Sequence, residues 1–229
     1  MGLCMNQLAS LFALASVSLI GCVTGDNDQA PADDADPVVA PRVYPSSCAE
    51  LAARDPGTPD GEHRLYVGGD TAKPWIGYCL DMNTTNAKTY LTLPPTSNWS
   101  EFQAGGRAVG VTVRTEWDKV RIDPKSLTID ASDFTFAVST GSIVHPTSGD
   151  HVEAMAFGRG MTCGGSYATA NVSFEGTPFF LVDTFQVTGD AGATGHAELW
   201  WTGQTEEMWT DGDCGLVGPQ GSIQLTFGR

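Results

Sequence analysis

"DKVRIDPKSLTID", Asp118 to Asp130, reads as two strands joined by a turn. Val120 and Ile122 alternate with charged residues at the period of two that suits a half-buried strand. Leu127 and Ile129 resume that alternation after Asp123-Pro124-Lys125-Ser126. Proline presets φ for the second position of a tight turn, while Asp and Ser side chains bond to their own backbone there. The segment therefore predicts an antiparallel hairpin. The pattern spreads outward from it. "FTFAV" carries it forward, with Phe134, Phe136 and Val138 in phase. Upstream, "AVGVTVRT" puts Val109, Val111 and Val113 on one face, and "TYLTLP" sets Tyr90 and Thr92 against Leu91 and Leu93. "ATANVSF", "PFFLVDTFQV", "AELWWT" and "SIQLTF" add further strands from Ala168 onward, and 27 glycines supply turns.

One helical signal stands apart. Ser47-Cys48-Ala49-Glu50 has the Ser-x-x-Glu form of a capping box, and Asp55-Pro56-Gly57 stops the helix at Arg54. The expected fold is mainly β: a single disulfide-stabilised antiparallel β domain, residues 48–229, with one short N-terminal helix.

Twelve Lys and Arg stand against 27 Asp and Glu, a formal charge of −15. Such a surface repels phosphate backbones and argues against a nucleic-acid partner. No apolar run reaches the ~20 residues that a membrane-spanning helix needs.

Residues before the domain have a different character. Leu8–Ile20 is an apolar run of signal-peptide length, and it ends in Leu19-Ile20-Gly21-Cys22. That tetrapeptide resembles the lipobox of bacterial lipoproteins. The resemblance implies that residues 1–21 are removed and that the Cys22 thiol carries diacylglycerol, a membrane anchor. The alternative is ordinary secretion with Cys22 left as a free thiol. Residues 22–47 form an acidic, Pro-rich tether, with five Asp and four Pro from Val23 to Ser47. It has too little apolar surface to offset its ordering entropy. Val23 follows the cysteine; in many Gram-negative lipoproteins an Asp there retains the protein at the inner membrane, so outer-membrane or cell-surface placement is expected.

Of six cysteines, Cys4 leaves with the signal peptide and Cys22 takes the lipid. Cys48, Cys79, Cys163 and Cys214 remain, an even set that reads as two disulfides in an exported chain. Three pairings are open, and chain order favours Cys48–Cys79 with Cys163–Cys214. A four-cysteine zinc site competes, but no Cys-x-x-Cys spacing occurs.

Cys48-Ala49-Glu50, Pro59 to Tyr66 ("PDGEHRLY"), Lys73-Pro74, Tyr78 to Met82 ("YCLDM") and Tyr90 to Pro94 ("YLTLP") resemble the start of the GON domain, which closes certain secreted ADAMTS-type metalloproteases. The likeness continues through Asn98 to Glu101 and Trp117 to Phe136, weakens over Thr140–Gly160, and returns at Cys163-Gly164-Gly165 and Cys214-Gly215. The Cys…Asp-Gly…Tyr…Cys-x-Asp-Met order is also similar to the opening of fibrinogen-like domains, and that likeness implies a Cys48–Cys79 bond. The GON resemblance implies a non-catalytic module, because the zinc protease chemistry sits in a separate domain. None of His63, His145, His151 and His196 lies in a His-Glu-x-x-His stretch.

Other chemistry-bearing patterns are incomplete, so no catalytic or metal-ligating residue is assigned. Gly164 to Ala168 lacks the last glycine of a nucleophile elbow. His145 and His151, with Glu153 beyond, flank a Pro-Thr-Ser-Gly turn and could gather a metal, and Asp211-Gly212-Asp213 offers oxygens to calcium without the full alternating loop. His151-Val152-Glu153 lacks the cysteine pair of zinc deaminases. Asn83, Asn98 and Asn171 open glycosylation sequons.

Trp200, Trp201 and Trp209 fall within ten residues beside Glu206 and Glu207. Neighbours in a strand face opposite sides, so one of Trp200 and Trp201 can be core while the other meets solvent. These three are the ligand-binding candidates. The function expected is a lipid-anchored, non-catalytic envelope or surface module recognising a protein or glycan. The alternatives are a zinc metalloendopeptidase-associated activity or accessory role, and envelope maintenance.

Overall fold

A computed structural model describes residues 43–164, 166–182, 184–189 and 196–228. The expected signal peptide, the lipidation candidate Cys22 and the expected tether as far as residue 42 lie outside them. Helix α1 (Cys48–Arg54) is followed by β1 (Gly61–Tyr66), β2 (Pro74–Leu80), β3 (Lys88–Thr92), β4 (Trp99–Gln103) and β5 (Val109–Trp117). Next come β6 (Lys119–Asp123), β7 (Thr128–Asp130), β8 (Ala137–Val144), β9 (His151–Val152), β10 (Gly160–Cys163) and β11 (Ala168–Ser173). The chain ends through β12 (Phe179–Leu181), β13 (Phe185–Gly189), β14 (Ala197–Trp201), β15 (Thr205–Thr210), β16 (Asp213–Pro219) and β17 (Ile223–Phe227).

The hairpin at Asp118–Asp130 forms as β6 against β7, with Ile122 opposite Ile129 and Asp123 opposite Thr128. The Asp123 carboxylate fastens the turn, accepting from the Lys125 N–H and the Ser126 hydroxyl, both at 2.9 Å. Leu127 departs from the expected alternation. It sits at φ 56° in the loop, with its N–H on the Asp123 carbonyl at 2.8 Å, and reaches the core from there.

This hairpin lies inside a seven-stranded sheet ordered β1-β2-β3-β6-β7-β17-β12. A ten-stranded sheet runs β13-β16-β10-β4-β11-β15-β14, and β5, β8 and β9 extend it from the other edge of β4. Only β10 with β4 is parallel among the paired strands described. One hydrophobic cluster joins the two sheets: Leu65, Leu91, Val120, Ile122, Ile223 and Leu225 come from the first, and Trp117, Ala170, Val172 and Met208 from the second. Two sheets burying one face each against a shared core is the sandwich solution for amphipathic strands.

Helix α1 begins where the capping signal places it. The Ser47 hydroxyl accepts from the Glu50 N–H at 3.2 Å. The Glu50 carboxylate returns to the N–H and hydroxyl of Ser46, at 2.8 and 3.0 Å, so the box closes one residue earlier than its consensus. Disulfides join Cys48 to Cys79 and Cys163 to Cys214. The first bond fixes α1 onto β2.

Three further strand readings need correction. Phe134 and Phe136 precede β8 in a turn; Phe136 packs edge-on against Tyr78 and Tyr90 at 5.3 and 4.8 Å, and Val138 is exposed. That turn also buries Tyr90 on the side away from Leu91, so both faces of β3 are covered. Val109 and Val111 are exposed whereas Val113 is buried, because a bulge reverses the phase of β5 between them. The stretch "PFFLVDTFQV" divides into β12 and β13, which belong to different sheets.

Candidate functional site

On β11, Ala170 and Val172 point into the core, so Thr169 and Asn171 face the other way. The same parity runs across the ten-stranded sheet and sets out two rows on its outer face. One row reads Glu116, Trp99, Asn171, Glu207, Trp200, from β5 through β4, β11 and β15 to β14. In the second, Arg114 stands opposite Glu101 on β4, while Thr169, Trp209 and Glu198 follow one another on β11, β15 and β14. Glu101 and Thr169 close this row with hydrogen bonds: the Thr169 N–H and hydroxyl donate to the Glu101 carboxylate at 3.1 and 2.7 Å.

The end of this face near β4 and β5 is tightly bonded. Arg114 donates to Glu116 at 2.6 Å and to Glu101 at 2.5 Å, and its guanidinium lies 4.7 Å from the Trp99 ring centre. The Trp99 indole donates to the Thr169 hydroxyl at 3.1 Å. These paired groups hold one another in place.

The opposite end is open. Trp200 faces Glu207 across β14 and β15, and Glu198 faces Trp209, so two indoles and two carboxylates alternate at the corners of one square. Tyr167 joins Trp209 edge-on with ring centres 6.2 Å apart. Tyr167, Thr169, Trp200, Glu207, Met208 and Trp209 line a shallow cleft of about 350 Å³. Tyr167 is 63% exposed and Trp200 45%. Large aromatic groups gathered on an open sheet face, away from the core, are the kind of surface that marks recognition.

Of the three tryptophans singled out in the sequence, the structure brings Trp200 and Trp209 to this cleft. Trp201 stands opposite Glu206, on the other side of β14, and is still 50% exposed because β14 is an edge strand. Neither member of the Trp200–Trp201 pair is core. Tyr167, Thr169, Glu198 and Trp99 carry no signal in the sequence; they reach the face only through the register of strands distant along the chain.

The other candidate chemistry is arranged differently. His151 and Glu153 are exposed, and the imidazole of His145 packs on Phe102 with ring centres 5.7 Å apart. The groups gathered near His145 are Cys163 and Cys214, whose sulfurs are bonded to each other. Asp213 accepts from Arg107 at 2.7 Å and Asp211 accepts from the His196 N–H, so both carboxylates of the calcium candidate are engaged within the protein. Asn98 and Asn171 are buried at 1% and 8% exposure, whereas the sequon at Asn83 is exposed.

The first part of the domain combines the capped helix, its bond to β2 and the run of strands up to β4. Residues 45–110 match the GON domain. No curated protein and no solved structure matches the chain. The GON segment supplies Trp99 and Glu101 to the outer face and ends inside β5. The open cleft is built wholly from residues beyond it. Together with two disulfides, the GON segment marks an extracellular module.

Proposed function

We propose that the protein is a lipid-anchored, non-catalytic module of the bacterial envelope, at the outer membrane or cell surface, and that it recognises a glycan. Cys22 carries the lipid and the acidic tether holds the β domain clear of the membrane. Recognition takes place at the open end of the ten-stranded sheet. The observation carrying this reading is the set of Tyr167, Trp200 and Trp209 around one shallow cleft beside Glu207. Sugar rings present flat faces of C–H groups that stack on aromatic rings, and their hydroxyls donate to carboxylates. A shallow surface opening suits a chain that lies across it.

The test uses the full chain on an array of diverse glycans, compared with Trp200→Ala and Trp209→Ala. Loss of a central aromatic anchor costs ~2 kcal/mol or more, about thirtyfold in affinity. Binding that survives both substitutions undiminished would refute the assignment of the cleft. For the anchor, mass spectrometry of protein from bacterial membranes should find diacylglycerol on Cys22. An unmodified thiol there would end that part of the reading.

A further inference from the structure

We infer that the glycan recognised at this cleft is cationic, built from sugars with free amino groups; the inference rests on the proposed reading of the cleft as a glycan site. Its basis is the arrangement of charge around the aromatic rings. Glu198 and Glu207 sit diagonally between Trp200 and Trp209, each directly opposite one indole. Residues opposite each other on antiparallel strands have Cβ atoms about 5 Å apart, so one small group can touch a ring face and a carboxylate together. Both carboxylates are exposed, and no basic side chain among the described residues pairs with either.

The only basic residue in the two rows is Arg114, at the far end, and both Glu101 and Glu116 hold it. The open end therefore presents uncompensated negative charge next to electron-rich rings. An ammonium group meets both: its charge is drawn to the ring faces and its three N–H donors reach the carboxylates. A neutral sugar stacks on the rings and donates its hydroxyls to the carboxylates, but brings no charge to meet theirs. An acidic sugar, whether carboxylated, sulfated or phosphorylated, is repelled by the two glutamates and by a chain of net charge −15.

The experiment compares two ligands of equal length on the full chain: β-linked oligomers of 2-amino-2-deoxyglucose with free amines, and the same oligomers N-acetylated. Calorimetry at low and high salt, at a pH where the amines are charged, reads the difference. The free-amine oligomer should bind about tenfold more tightly at low salt, and the advantage should shrink as salt screens it. In the Glu198→Gln/Glu207→Gln variant, whose amide oxygens still accept from sugar hydroxyls, the ratio of the two affinities should fall to about one. Both substitutions are at exposed positions, and matching melting curves verify that the fold is kept.

Equal affinity for the two oligomers would overturn the inference and leave the glycan reading intact. Preference for the free amine that survives in the double glutamine variant would overturn the assignment to these carboxylates. Failure of every glycan on the array, with capture of a Lys-rich peptide instead, would overturn both the inference and the reading beneath it.

Discussion

Val111 and Val113 lie two residues apart in one strand, yet Val111 is 68% exposed and Val113 is completely buried. The register explains it. Val111 stands opposite Ser142 and Arg114 opposite Thr140, so Thr112 and Val113 share the single partner Gly141. This extra residue turns the strand over and delivers Arg114 and Glu116 to the outer face beside Trp99. Gly141 makes the bulge possible: its φ is 85°, and a Cβ there would come 1.9 Å from the Thr112 carbonyl oxygen. Gly141→Ala should therefore destabilise the protein by ~2 kcal/mol or more. Val113→Ala should cost ~2 kcal/mol through lost burial, and Val111→Ala under ~0.5 kcal/mol. Urea unfolding of the three variants checks the order; equal effects at Val111 and Val113 would contradict the bulge.

Asn98 acts as a stitch between segments far apart in sequence. Its amide donates to the Ser173 carbonyl at 3.1 Å and its carbonyl accepts from the Ser173 N–H at 2.7 Å, all in a buried setting. Asn98→Ala strips both partners from a backbone that water does not reach, at a cost of ~2–4 kcal/mol. Asn98→Asp should lose much of the same stability, because a carboxylate cannot donate to the Ser173 carbonyl. Chemical denaturation measures both, and an Asp variant as stable as wild type would exclude the paired bonding described.

The hairpin and the helix are legible in sequence because each is written locally, in a turn with Asp123 and Pro124 and in a cap with Ser47. The phase of β5 is not, since a bulge depends on a glycine in the neighbouring strand. Phe134 and Phe136 follow a period of two and still form a turn, because packing on Tyr78, Tyr90 and Trp117 rewards both rings without a ladder. At the candidate site, Trp200, Trp209 and Glu207 are visible as a dense local cluster. Tyr167 and Glu198 have no such signal. Their place depends on β11, β15 and β14 pairing in one register, a tertiary fact. Trp201 belongs to the cluster by proximity in sequence alone, and strand alternation removes it from the cleft.

The two disulfides should differ in access. Cys48 and Cys79 are both fully buried, while Cys214 is half-buried beside the surface residue Arg107. Thiol exchange requires a nucleophile to reach a sulfur, so a dithiol added to the native protein should open Cys163–Cys214 first. Alkylation and peptide mass spectrometry would follow the order, and prior labelling of Cys48 and Cys79 would contradict it. For stability, loop entropy puts each bond at ~4 kcal/mol as an upper value. The Cys48→Ala/Cys79→Ala double variant should lower the melting temperature clearly, since α1 then loses its covalent tie to β2.

Acid should weaken the fold through two named carboxyls. Burial pushes Asp133 up, but hydrogen bonds from Thr135 and Tyr90 and the Arg121 guanidinium 3.6 Å away outweigh it, leaving the group below its ordinary value. Asp123 is lowered first by the Lys125 N–H and then by the Ser126 hydroxyl. A carboxyl held lower in the folded than in the unfolded chain stabilises the fold above its unfolded value, near ~3.9, and loses that contribution as pH falls through the folded value. The share of stability due to these two groups should thus be constant from neutral pH to about 5 and decline below about 4. Asp133→Asn should remove part of that decline and cost ~1 kcal/mol or more at neutral pH, because a nearly buried acceptor for Tyr90 and Arg121 is weakened. Urea midpoints between neutral pH and about pH 3 report both effects; an identical acid slope in the Asn variant would show that Asp133 does not contribute to it.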